Sequence, residues 1–141
     1  MSPVDNQKSL RFDISDETDA KGAVVNCSTF VSNHINDEAF AQRLATMVSE
    51  LASNILKYAG HGIITIEVHP AFKGQRFDIE SKDNGPGIIN KERALTDGFS
   101  ESGTLGMGLP GVRRMADDFT LDSDPRQGTR VFVRNYYPPL S

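Results

Sequence analysis

Residues 37–59 constrain this chain more than any other stretch of it. Phe40, Leu44, Met47, Val48, Leu51 and Ile55 recur at helical intervals. They fall on one stripe of a long α-helix, and that stripe must be buried against another layer. Asn36-Asp37 breaks the preceding pattern and offers a cap, and Gly60-His61-Gly62 ends the helix in the way glycine does past a C-terminus. Upstream, residues 9–14 alternate apolar and polar side chains and read as a strand. Asp16 or Asp19 can cap a second helix running to about Ile35, with Val24, Cys27, Phe30, Val31 and Ile35 at helical spacing.

After Gly62 the pattern changes. Residues 63–69 and 75–82 are predicted strands of a hairpin, with residues 70–74 as the turn. Residues 83–87 form a glycine-proline loop. Residues 90–97 read as a short helix, and residues 99–105, small and polar, as a mobile stretch. Residues 109–119 read as another helix, and residues 120–124 and 128–135 as a last hairpin around Pro125. Helices early and strands late predict an α+β fold, a two-layer sandwich of helices on one face of a mostly antiparallel, mixed sheet.

With 141 residues, one domain spanning 1–141 is expected, with 1–8 and 136–141 as flexible ends. Tyr136-Tyr137-Pro138-Pro139 is then a frayed end or a docking surface. The net charge of −4 argues against a nucleic-acid binder, which needs a basic face. Arg113, Arg114, Arg126, Arg130 and Arg134 do concentrate in the last third, as a solvated face or as a patch for phosphate or an acidic partner. The single cysteine, Cys27, excludes an internal disulfide framework and reads as a small buried hydrophobe. No apolar run is long enough to span a bilayer, and the N-terminus has no basic-then-apolar leader. A cytoplasmic protein without a membrane partner is expected.

Four strings carry possible chemistry. Glu50, Asn54 and Lys57 lie at i, i+4 and i+7 of the long helix and share one face. A carboxylate can accept a proton, an amide oxygen suits Mg²⁺, and an ammonium suits phosphate, although a solvated helix face gives the same pattern. Asp83-Asn84-Gly85-Pro86-Gly87 follows a strand. It reads as a surface turn, or as a backbone that a flat ligand can approach closely. An aspartate there can accept a hydrogen bond from the exocyclic amine of adenine, whereas guanine would set acceptor against acceptor. Gly103-Thr104-Leu105-Gly106-Met107-Gly108-Leu109 runs into a helix and exposes backbone N–H groups to an anion. It lacks the Gly-Lys-Ser/Thr of a Walker loop and the parallel βαβ setting of a Rossmann site. Gly128-Thr129 opens the last strand.

In this order and on these elements, the four strings resemble the GHKL ATPase superfamily. Glu50 to Asn54 matches its N box, Asp83 to Gly87 its G1 box and Gly103 to Leu109 its G2 box. The resemblance implies a Bergerat-type fold holding ATP and Mg²⁺ between the helical layer and a mobile lid. Members that work through large attached domains are not expected at this length. His34, His61 and His69 lack the setting of a phospho-acceptor histidine. Residues 97–119, with Gly108-Leu109-Pro110-Gly111-Val112, and residues 50–59 are similar to the small switch serine/threonine kinases of bacterial partner-switching systems, as in the stressosome.

That resemblance implies a kinase that phosphorylates STAS-domain scaffold or antagonist proteins and, once released, activates a PP2C-type phosphatase. An anti-sigma factor kinase, a detached histidine-kinase domain and an ATP-gated binding module without catalysis are the alternatives. It implies Glu50 as the catalytic carboxylate, Asn54 as the Mg²⁺ ligand and Asp83 with Thr129 at the base. Gly85 and Gly87 would let the base approach. Lys57 and the backbone of Gly103, Thr104, Leu105, Gly106, Met107, Gly108 and Leu109 would serve the phosphates. Pro125-Arg126-Gln127 before Gly128, and Ile89-Asn90 after the G1 box, depart from the family pattern.

Overall fold

Both long helices begin at aspartate caps. In the computed structural model, which describes residues 7–85 and 108–140, α1 (Glu17–His34) starts after Asp16, whose Oδ1 accepts the Asp19 N–H at 2.8 Å. Asp19 in turn accepts the Ser15 N–H at 2.9 Å, so two of the donors left unpaired at a helix start are satisfied reciprocally. The second helix, α2 (Glu38–Tyr58), starts after Asp37, which accepts the Phe40 N–H at 3.0 Å. Its other oxygen accepts the Tyr137 hydroxyl at 3.1 Å, tying the helix start to the far end of the chain.

The remaining elements are β1 (Ser9–Ile14), β2 (Gly62–Ala71), β3 (Gly74–Asp83), α3 (Gly108–Met115), β4 (Asp118–Asp124) and β5 (Gly128–Tyr137). The strands form one sheet in the order β1-β2-β3-β5-β4. Every pairing among the described residues is antiparallel, so the mixed sheet expected from the sequence is an antiparallel one here. The α+β, helices-on-a-sheet class stands as expected. Ile64, Ile66 and Val68 of β2, Phe77 and Ile79 of β3, and Val131 and Val133 of β5 face the helices and are buried. The α2 stripe of Phe40, Leu44, Met47, Val48, Leu51 and Ile55 packs on them, with Ala23, Cys27, Phe30 and Val31 of α1 alongside. Val24 and Ile35, expected in the α1 stripe, are half-buried at its margin.

Three boundaries differ from the sequence reading. Pro70, expected in a turn, lies in β2 opposite Gln75, and the reversal is confined to Phe72 and Lys73, with Lys73 at φ 61°. Val68 donates its N–H to Lys8 on the β1 side. Pro70 has the same parity, so its missing N–H faces the β1 side beyond Lys8, where the described residues offer no acceptor for a ladder bond. The helix expected over residues 109–119 ends at Met115. The Asp117 N–H bonds the Arg134 carbonyl, and Phe119 pairs with Val133. Tyr136 and Tyr137, expected in a free end, are the last residues of β5. The Tyr136 N–H donates to Asp117 at 2.8 Å, and the Tyr137 ring meets Phe40 with centroids 4.9 Å apart. At the other end, the Gln7 carbonyl lies 2.7 Å from the His34 ring. The expected helix at residues 90–97 and the mobile stretch at 99–105 lie outside the described residues. Among the described residues, no helix is long and apolar enough to cross a membrane.

Cys27 is completely buried, and burial pushes its thiol up to about 12. Since the thiolate is the reactive form, a thiol-reactive dye at pH 8 should leave the native protein unlabelled and label it fully in denaturant. Rapid labelling without denaturant would contradict this packing.

Candidate functional site

The C-terminal half of α2 turns Leu51, Asn54, Ile55 and Tyr58 toward the ends of β3 and β5. With Ser81, Asp83, Thr129 and Val131 from those strands, and Leu109 from α3, they enclose a cleft of about 20 Å³. That is room for roughly one water molecule. The sequence reading anticipated Asn54, Asp83, Leu109 and Thr129. It missed Tyr58, one helical turn beyond Asn54, and Ser81, which shares the inner face with Asp83 two residues on. Both could have been found by the same periodicity arguments.

Asp83 closes β3 and organises the strand ends. Its Oδ1 accepts the Gly85 N–H at 2.9 Å and the Thr129 N–H at 3.2 Å. The first bond bends the chain out of the strand, and the second locks β5 to it. Gly128 sits at φ +93°, and a Cβ there would run into the Asp83 carbonyl. A Cβ at Gly85 would lie 2.6 Å from that of Ala59 at the end of α2. Gly85 is therefore required by the approach of the protein to itself, where a ligand's approach was expected. The Thr129 hydroxyl lies 3.0 Å from that of Ser123, a β4 residue that the sequence reading did not single out.

Asn54 carries the main unsatisfied group of the cleft. Its Nδ2 is buried without a hydrogen-bond partner among the described residues. Such an atom costs about 1–3 kcal/mol, a cost that a bound polar ligand would remove. The two amide atoms can exchange places by rotation, so the same side chain can turn its oxygen inward. Glu50, one turn earlier, is engaged: its Oε1 accepts the Gly108 N–H at 2.8 Å. Gly108, at φ +51°, is the first residue of α3. A charge-assisted bond of this kind contributes about 1.5–3 kcal/mol. Lys57 is exposed, with Nζ 5.2 Å from the centre of the Tyr58 ring, and is not among the described residues that line the cleft. Gly87, Gly103, Thr104, Leu105, Gly106 and Met107 lie outside the described residues.

A buried amide and a strand-end aspartate thus share a small cleft of mixed polar and apolar lining, with the Glu50 carboxylate nearby, bonded to the start of α3. Residues 40–139 match the family of histidine kinase-, DNA gyrase B- and HSP90-like ATPases. The chain belongs to this ATPase family. It is 48% identical, over 63% of its own length and 67% of the relative's, to the serine/threonine-protein kinase RsbT of Bacillus subtilis. It is 27% identical to an anti-sigma F factor of Clostridium kluyveri, over 97% of its own length and 99% of the relative's. The mycobacterial sensor histidine kinase MprB has the same fold, with a TM-score of 0.52 and 17% identity, over 93% of this chain and 99% of that one. ATP binding goes with the family, and serine/threonine-protein kinase is the enzyme class carried by the RsbT likeness.

Gly128→Ala should destabilise the protein by about 1–3 kcal/mol, because it forces a Cβ into a left-handed position against Asp83. Urea unfolding checks this, and an unchanged midpoint would show that the β4–β5 turn can relax around the methyl group.

Proposed function

We propose that this protein is an ATP-dependent serine/threonine kinase of a bacterial partner-switching pathway. The observation that carries the reading is the unpartnered, buried amide of Asn54 in the cleft that Asp83 borders. It supports a polar ligand held between α2 and the strand ends. Adenine would give its amine to the Asp83 carboxylate, at the oxygen not used by Gly85 and Thr129, with Thr129 beside it. The triphosphate would extend toward Gly108, where backbone N–H groups and the dipole of α3 favour negative charge.

Asn54 would hold Mg²⁺, a hard cation suited to amide oxygen. Bound there, the metal would offset the charge of the phosphates. Lys57, at the end of α2, has a flexible stem and would swing from the Tyr58 ring toward the phosphates. Glu50 would orient the attacking hydroxyl and take its proton. Phosphoryl transfer depends mainly on positioning and charge stabilisation, so this inventory suffices.

The protein partner would be a STAS-domain scaffold or antagonist carrying the acceptor serine or threonine. A PP2C-type phosphatase would be activated by the freed kinase in the cytoplasm. Similarity to anti-sigma F factors over nearly the whole chain favours a second reading, a kinase that binds and restrains a sigma factor directly.

Asp83→Asn should weaken ATP binding by about tenfold to a hundredfold by calorimetry; retained affinity would remove Asp83 from the base site. Asn54→Ala should lose Mg²⁺-dependent transfer, and full transfer in that variant would exclude the metal role. With γ-labelled ATP and a STAS-domain substrate, the wild type should give acid-stable label. Acid-labile label would mean histidine phosphorylation, and no label would mean a binding module.

A further inference from the structure

The Glu50 Oε1 that accepts the Gly108 N–H at 2.8 Å is engaged by the protein itself, and the bond fixes the carboxylate's orientation toward α3. That N–H belongs to the first residue of α3, the place where the proposed site would receive a phosphate. The next residue, Leu109, is 5% exposed, packs in the core and lines the cleft. The cleft holds about 20 Å³, less than a purine needs. One contact therefore does three things. It occupies the N–H of Gly108 with the protein's own carboxylate, sits next to the Leu109 that lines the base cleft, and fixes Glu50 in an orientation toward α3.

We propose that the Glu50–Gly108 contact is an autoinhibitory latch, in which the carboxylate stands in for a nucleotide phosphate until ATP displaces it. The inference rests on the nucleotide site proposed above and adds its order of events. Phosphate takes the Gly108 N–H, α3 and Leu109 shift to admit the base, and the released Glu50 turns to the acceptor hydroxyl. The carboxylate is freed by the same nucleotide that makes it useful, so the catalytic group is not presented to the partner before ATP is in place. The exchange is of hydrogen bonds; no covalent bond changes.

Charge and contact can be separated. Glu50→Asp keeps the negative charge but is one methylene too short to reach Gly108 from the same α2 position. Glu50→Ala removes both. If Glu50 acts as a latch, both variants should bind ATP about tenfold more tightly than wild type. In both, the nucleotide-free protein should exchange the Gly108 amide hydrogen faster by NMR, and ATP should restore its protection. Wild-type protection with adenosine, which has no phosphate, should stay as it is without ligand. If Glu50→Ala binds ATP more tightly while Glu50→Asp matches wild type, the effect is like-charge repulsion and the latch is overturned. Unchanged Gly108 exchange in both variants overturns it as well. A wild-type protein that binds neither ATP nor adenosine would instead overturn the nucleotide site itself. Thermal unfolding of each variant separates these outcomes from loss of fold.

Discussion

The closeness of the end of α2 to the ends of β2 and β3 governs everything else in the site. Two glycines make it possible. A Cβ at Gly62 would stand 2.6 Å from the Lys82 carbonyl and 2.9 Å from the Ile55 side chain, and one at Gly85 would stand 2.6 Å from Ala59. With those atoms missing, the last turns of α2 settle onto the strand ends. The rotational phase of the helix is not free, because its stripe from Phe40 to Ile55 is buried to within a few per cent. Distance and phase together aim Asn54 and Tyr58 at the place where β3 and β5 finish. The polar residues of the cleft are positioned by apolar packing some distance away.

Asp83 shows how far fold and site share atoms. One of its oxygens is spent on the backbone of Gly85 and Thr129, fixing the strand end and the start of β5. The other is the oxygen that the proposed site offers to a base. An asparagine keeps an acceptor for the two N–H groups and changes the second position from acceptor to donor, so it separates the two duties. An alanine would remove both and report mostly on the strand ends. Thr129 is similarly divided: its N–H serves Asp83, and its hydroxyl meets Ser123 on the edge strand.

What was legible in the sequence was what periodicity controls. The α2 stripe and an aspartate cap for each long helix followed from spacing and from the chemistry of helix ends. Of Glu50, Asn54 and Lys57, expected on one face, Asn54 lines the cleft, Glu50 bonds Gly108 and Lys57 lies by the Tyr58 ring. The misread boundaries were places where tertiary pairing overrode a local pattern. Val112, Met115, Ala116 and Phe119 keep helical spacing, yet Phe119 reaches the core from β4 because Arg134 and Val133 supply pairing partners. Pro70 reads locally as a turn former, and nothing local reveals that it lies inside β2, paired with Gln75. Tyr136 and Tyr137 are strand-favouring residues, but the Pro138-Pro139 that follows them reads as a chain end and hides that β5 continues as far as the start of α2. The Glu50–Gly108 bond joins residues far apart in sequence, so no local pattern could have announced it.

The outer face of the sheet bears on how the site handles charge. A two-layer fold leaves this face open to solvent, and the chain fills it with paired charges. Arg134 grips Asp78 through two nitrogens at 2.8 and 3.1 Å, and Arg76 approaches the same carboxylate at 3.4 Å. Arg130 pairs with Glu80, and both Arg130 and Arg134 lie over the Phe132 ring. Those two arginines, which could have formed a phosphate patch, are thus spent on the stability of the open face. On the helix side, the N–H groups at the start of α3 are donors available to phosphate. A site that relies on backbone donors is one that a side-chain carboxylate can fill, because an N–H does not distinguish a carboxylate oxygen from a phosphate oxygen by charge. Glu50 at Gly108 is the physical consequence of that reliance.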